Sequence, residues 1–182
     1  MSKSLGNVIS PYDLVTRYGT EATRYLLARH VHPVEDTDVT FERLDEWYEA
    51  GLANGLGNQV ARIMKLAQKH LDGPVSLPAE ALSLQPPFVE HMEALMINEA
   101  VNLIWEHIAK ADVHIQETLP FKLIKSQDEA DRVRAREIFT NLVVHLARIA
   151  THLAPIMPET SEKILAAIKE NRMPAALFPR KE

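Results

Sequence analysis

Three stretches of this chain carry apolar residues along a single helical face, and that pattern decides what the chain can fold into. At roughly 100° per residue, Ala53, Leu56, Val60, Ile63, Ala67 and Leu71 fall on one narrow stripe. Ile97, Val101, Ile104, Ile108, Ala111 and Ile115 form a second, and Ala135, Ile138, Leu142, Ile149 and Leu153 a third. A helix with one apolar stripe must bury it against another element. Three such helices need one another, so the expectation is an all-α, antiparallel helical bundle. No segment alternates with the period of a strand.

Helix signals divide the rest. Ser10, Pro11 and Asp13 read as an N-cap, a first-turn proline and an acid at a helix start, and Gly19 as the stop. Thr20 is expected to cap a second helix to about Arg29, before an irregular acidic connector broken by Pro33. Thr40 then caps a helical region reaching about His70. Pro74, Pro78, Pro86 and Pro87 make the next stretch a loop, with one helical turn near Ala79–Leu82. Helices follow over about Phe88–Leu95, Asn98–Glu117, Asp128–Leu153 and Pro158–Glu170, with a turn after Pro120 and an irregular tail from Met173.

At 182 residues the chain suffices for one packed domain with a small appendage. It has no cysteine, hence no disulfide framework and no thiolate metal site. No apolar run approaches a membrane span, and the first residues lack a signal peptide's apolar region, which fits a cytoplasmic protein. The net charge of −5 argues mildly against nucleic acid, although a local basic stripe matters more than the sum.

Such a stripe exists. Opposite the apolar face of 53–71 lie Asn54, Asn58, Arg62, Lys65 and Lys69. Asparagine can bond base edges, while arginine and lysine neutralise phosphates. The bland alternative is a solvated face of an amphipathic helix. Gly55 and Gly57 beside it each cost up to about 1 kcal/mol in a helix interior, which suggests a close backbone approach. His30 and His32 could hold a metal but fit a solvated loop better. His107, His114, His145 and His152 read as partly buried, and Trp47 and Trp105 as core. Arg132, Arg134 and Arg136 among Glu129 and its neighbours read as surface ion pairs. No metal site is assigned.

The opening Met1-Ser2-Lys3-Ser4-Leu5-Gly6-Asn7 resembles the lysine–serine signature loop of class I aminoacyl-tRNA synthetases, lacking the lysine that normally precedes Met1. Alone this is a weak match. It continues through Val8–Ser10, Tyr18-Gly19, Glu21–Leu27, Glu35–Asp38, Leu52-Ala53-Asn54 to Leu56-Gly57-Asn58, and Ala154–Thr160, in the order seen in methionyl-tRNA synthetases. The resemblance covers nearly the whole chain. It implies that residues 1–39 are the signature-loop remnant and stem-contact connector, with room for a short strand or turn. Residues 40–172 are then the anticodon-binding bundle, and 173–182 a tail. Met1, Ser2, Lys3 and Ser4 would be the ATP loop, with Lys3 stabilising phosphate charge in the full enzyme.

The resemblance further implies that Asn58 and Arg62 contact the anticodon of methionine tRNA. The family's third contact, a tryptophan after a proline, corresponds to Phe121 after Pro120, which keeps a stacking face but has no indole N–H. Alternatively Phe121 anchors the loop in the core. Lys122 and Lys125 would extend a phosphate-contacting rim. Gly51 and Gly55 stand where the family often carries aspartate. The catalytic domain, with ATP and magnesium and a zinc knuckle, lies upstream, so the fragment alone is expected to be inactive and to need no cofactor. The rivals are another class I synthetase, cysteinyl or leucyl, and a helical protein-interaction module without an RNA role.

Overall fold

The structure, a computed structural model, describes residues 9–180. Helix α1 (Pro11–Tyr18) starts where Ser10 Oγ accepts the Tyr12 N–H, and ends at Gly19, whose φ of 82° only glycine adopts freely. The next helix, α2 (Thr20–His30), corrects one expectation. Gly19 occupies its cap position, Thr20 is its first helical residue, and no side chain caps it. The connector that follows is irregular chain, and no strand occurs among the described residues.

Thr40 caps α3 (Phe41–Trp47) by accepting the Arg43 N–H. The helix then widens into a π-helical segment, Tyr48–Gly57, before resuming as α4 (Asn58–His70). The wider winding is visible in the Asn58 N–H, which reaches back to the Ala53 carbonyl. A 3₁₀ turn (Ala79–Leu82) and α5 (Pro86–Glu93) lead to α6 (Ile97–Thr118), the turn α7 (Pro120–Leu123), α8 (Glu129–Leu153) and α9 (Pro158–Glu170). Asp128 caps α8 through the Ala130 N–H. The predicted stripes all face inward, with only Ile97 and Leu71 less than fully buried. The centre is α8, which packs on α4, α6, α7 and α9. It therefore buries Phe139, Val143, Leu146, Ala147 and Ala150 beyond the one stripe read from its sequence.

Gly51 has the closest neighbour of the described glycines, since a Cβ there would stand 1.9 Å from Tyr25 Oη. Of the four histidines expected to be partly buried, His107, His145 and His152 are packed into the bundle, whereas His114 is exposed on α6. His152 accepts the Gln85 N–H on Nε2 at 3.1 Å and donates from Nδ1 to the Arg148 carbonyl at 2.7 Å, which fixes a neutral ring. His145 donates to the His107 carbonyl at 2.9 Å. Burial pushes the pKa of all three below the usual value. His30 stacks on the half-buried Trp47 at 4.4 Å, while His32 Nδ1 accepts the N–H groups of Val34 and Glu35. Trp105 is core. Glu129 pairs with Arg132 and Arg136.

The tail as far as Arg180 is irregular, as expected, yet docked. Tyr48 Oη donates to the Pro179 carbonyl at 2.9 Å, the Met173 N–H donates to Gln68 Oε1 at 2.9 Å, and Phe178 packs edge-on against Tyr48.

Candidate nucleic-acid interface

The amphipathic winding of α4 places its polar residues at the surface. Asn58, Lys65 and Lys69 are exposed, while Val60, Ile63, Met64 and Ala67 are buried against α8 and its neighbours. Arg62 is half-buried. Its Nη2 forms an ion pair with Asp112 on α6.

Asn54 lies in the π-helical segment, where the constant angular step that aligned it with Asn58 does not hold. It is nonetheless beside Asn58. Both line a cleft of about 330 Å³ whose other wall is the tail from Ala176 to Arg180. Asn54 Oδ1 accepts from Arg180 Nη2 at 3.0 Å. The stripe thus divides, with Asn54 and Asn58 toward the tail and Arg62 toward α6. The glycines beside it serve the π winding. A Cβ at Gly55 or Gly57 would press at 3.0 Å on the carbonyl five residues earlier.

Phe121 sits on α7, which packs against α8. It is 40% exposed, so it is not the buried loop anchor that was the alternative. Pro120 takes that place, with Leu123 and Ile124 half-buried beside it. Leu119, at φ 45°, makes the left-handed turn that ends α6 and aims α7. Lys122 is exposed on the same turn and Lys125 is exposed just beyond it. Phe121 is on a different element from Asn58 and Arg62. The link between them is α6, which runs from Asp112, the partner of Arg62, to Thr118, a rise of roughly 9 Å.

Met1, Ser2, Lys3 and Ser4 lie outside the described residues. Among the described residues no group of three or more histidines, aspartates or glutamates is arranged to hold a metal. Sequence reasoning missed Gln59, Asp112 and Arg180. Gln59 had a legible signal, because it is spaced three residues from Leu56 and four from Ile63 and so falls on the apolar side of α4. Nothing local pointed to Arg180, which reaches Asn54 only because the tail folds back.

Comparison with known proteins follows the same lines. Residues 1–64 match the family described as tRNA synthetases class I (M). The methionine–tRNA ligase of Clostridium acetobutylicum is 36% identical over 175 residues, 90% of this chain and 27% of that protein. The Thermotoga maritima ligase is 30% identical over 186 residues, 96% of this chain and 29% of that protein. The chain therefore spans little more than a quarter of these relatives. The crystal structure of Mycobacterium tuberculosis methionyl-tRNA synthetase bound by methionyl-adenylate superposes with a TM-score of 0.79 at 29% identity, covering 100% of this chain and 41% of that one. The free form of the same enzyme gives 0.79 at 27% identity. By sequence over nearly its whole length, and by fold, the chain belongs with the methionyl-tRNA synthetases, of which it represents a part.

Proposed function

We propose that the chain binds tRNA through its anticodon, as the C-terminal part of a methionine–tRNA ligase that charges methionine tRNA in the cytoplasm. The observation that carries this reading is the exposed polar face of α4, with Asn58 and the half-buried Arg62 flanked by Lys65 and Lys69. The exposed aromatic ring of Phe121, with Lys122 and Lys125 beside it, supports it from a second element. In this reading Asn58 and Arg62 bond base edges, Phe121 stacks on a base, and the lysines neutralise phosphates. The ring of Phe121 supplies a face but no N–H donor, so stacking there is less selective than an indole's. Asn54, tied to Arg180, serves as a wall of the cleft at Asn58. Lys3 acts on ATP, with magnesium, only in company with the upstream catalytic domain, where zinc also belongs. The fragment by itself binds and does not catalyse.

The test is salt-titrated binding to an RNA anticodon stem-loop bearing CAU, beside the same stem-loop with altered loop bases, for the native chain and Arg62→Ala. Preference for CAU that Arg62→Ala abolishes supports the reading. Equal, weak binding to every loop, unchanged by Arg62→Ala, rejects the site and favours a protein-interaction role.

A further inference from the structure

One residue of α4 beside the polar face turns inward. Gln59 is 1% exposed although it carries an amide. Its Nε2 donates to the Ile108 carbonyl at 2.7 Å and reaches Asp112 Oδ1 at 3.4 Å. The same carboxylate oxygen accepts from Arg62 Nη2. The amide's orientation is settled by these neighbours, because turned over its oxygen would face two acceptors. Asp112 is therefore gripped from behind by a buried amide anchored to the α6 backbone, and turns its charge toward Arg62.

This arrangement costs stability. Gln59 Oε1 and Arg62 Nε are both buried with no hydrogen-bond partner among the described residues. A leucine at 59 would fill the same stripe without that cost. The enclosed Nε also means that the exposed third of the Arg62 side chain excludes this atom, so Asp112 determines how the guanidinium stands at the surface. A free guanidinium pairs with any phosphate, whereas one half neutralised by a carboxylate has less attraction for phosphate and a more fixed set of donors.

We propose that Gln59 and Asp112 are positioning residues that fix the direction of the Arg62 guanidinium, so that Arg62 discriminates bases by hydrogen-bond geometry instead of attracting RNA as a free charge. The proposal rests on the reading of Arg62 as an RNA contact. Asp112 lowers binding to unmatched loops as well as supporting the matched one, which a scaffold residue would not do.

The experiment measures binding of the whole chain to the CAU stem-loop and to base-altered stem-loops, together with thermal unfolding, for Arg62→Ala, Asp112→Asn, Gln59→Leu and the Asp112→Asn, Arg62→Ala pair. Asp112→Asn is expected to keep the melting temperature, lower the preference for CAU by roughly tenfold, the scale of one charge-assisted hydrogen bond, and bind unmatched loops as well or better. Gln59→Leu moves the preference in the same direction by less. The double variant shows no loss of preference beyond Arg62→Ala, because both act through one group. A preference unchanged in Asp112→Asn, or a fall on all loops in parallel with lost stability, overturns the proposal. Should Asp112→Asn fail to fold, Gln59→Leu decides by the same criterion. If Arg62→Ala itself changes nothing, the anticodon reading fails and this proposal falls with it. If Arg62→Ala abolishes preference while the other two variants leave it intact, only the positioning role is lost.

Discussion

Gly51 lies within a continuous helical run, where alanine would ordinarily add up to about 1 kcal/mol. The packing reverses that sign. A Cβ at Gly51 would stand 1.9 Å from Tyr25 Oη and 2.9 Å from its Cζ. Tyr25 has no room to withdraw. It is fully buried, its Oη accepts from Arg29 Nη1 at 2.9 Å, and its ring stacks on Trp105 at 4.4 Å. Trp105 is held in turn, because its Nε1 donates to the Gly51 carbonyl at 3.2 Å. Overpacking of this kind costs about 1–3 kcal/mol, and displacing Tyr25 adds a hydrogen bond worth about 1 kcal/mol. After the propensity gain, Gly51→Ala should destabilise by about 1–3 kcal/mol, a fall in melting temperature of roughly 2–12 °C for a chain of this size. Thermal unfolding followed by circular dichroism reads this directly. In a Tyr25→Phe background the closest atom is gone, so the same substitution should cost less than half as much. A Gly51→Ala protein that melts at or above the native temperature would refute the reasoning.

Three further outcomes are expected. Burial, with Arg29 nearby, holds His30 down to about 4 from its ordinary 6.5, so the folded chain takes up this proton less readily than the unfolded chain. Its contribution is whole above pH 6.5 and is lost as pH falls from 6.5 toward about 4, with His107, His145 and His152 acting in the same sense. Melting at pH 5 should lie below that at pH 7, and His30→Phe, which retains a ring against Trp47, should flatten the slope; an undiminished slope contradicts the assignment. Glu21 on α2 accepts the Glu159 and Thr160 N–H groups at 2.6 and 2.9 Å, capping α9 from across the fold. Glu21→Ala should therefore cost about 1–2 kcal/mol, read as a lower midpoint in denaturant, whereas an unchanged midpoint means the cap is replaced by water. Phe121→Ala should leave thermal stability within about 2 °C, as expected for a surface position, yet weaken stem-loop binding by about 1–3 kcal/mol. A loss of stability without loss of binding would make the ring a packing residue.

Legibility differed from element to element for physical reasons. The stripes on α4, α6 and α8 were readable because burial on one helical face enforces a fixed spacing. The π-helical segment was not, because its widening is set by where Gly51 meets Tyr25 and where glycines at 55 and 57 relieve the backbone, contacts that join distant residues. The α8 stripe was read too narrowly, since a helix surrounded by four others buries more than one face. Among candidate site residues, Asn58 and Arg62 came from a motif whose spacing survives folding. The inward Gln59 was an unexploited irregularity in an apolar stripe.

What the sequence determined alone is the all-helical bundle, most of its caps and breaks, and the kinship carried by motifs spread along the chain. Those depend on local geometry and on hydrophobic periodicity, both of which are written in neighbouring residues. Only the tertiary structure decided that Arg62 is held by Asp112, that Asn54 is taken by Arg180 of the returning tail, and that Phe121 stands exposed while Pro120 is buried. Each of these depends on which side chains meet across the fold, and a residue's type and spacing do not say which partner will claim its hydrogen bonds.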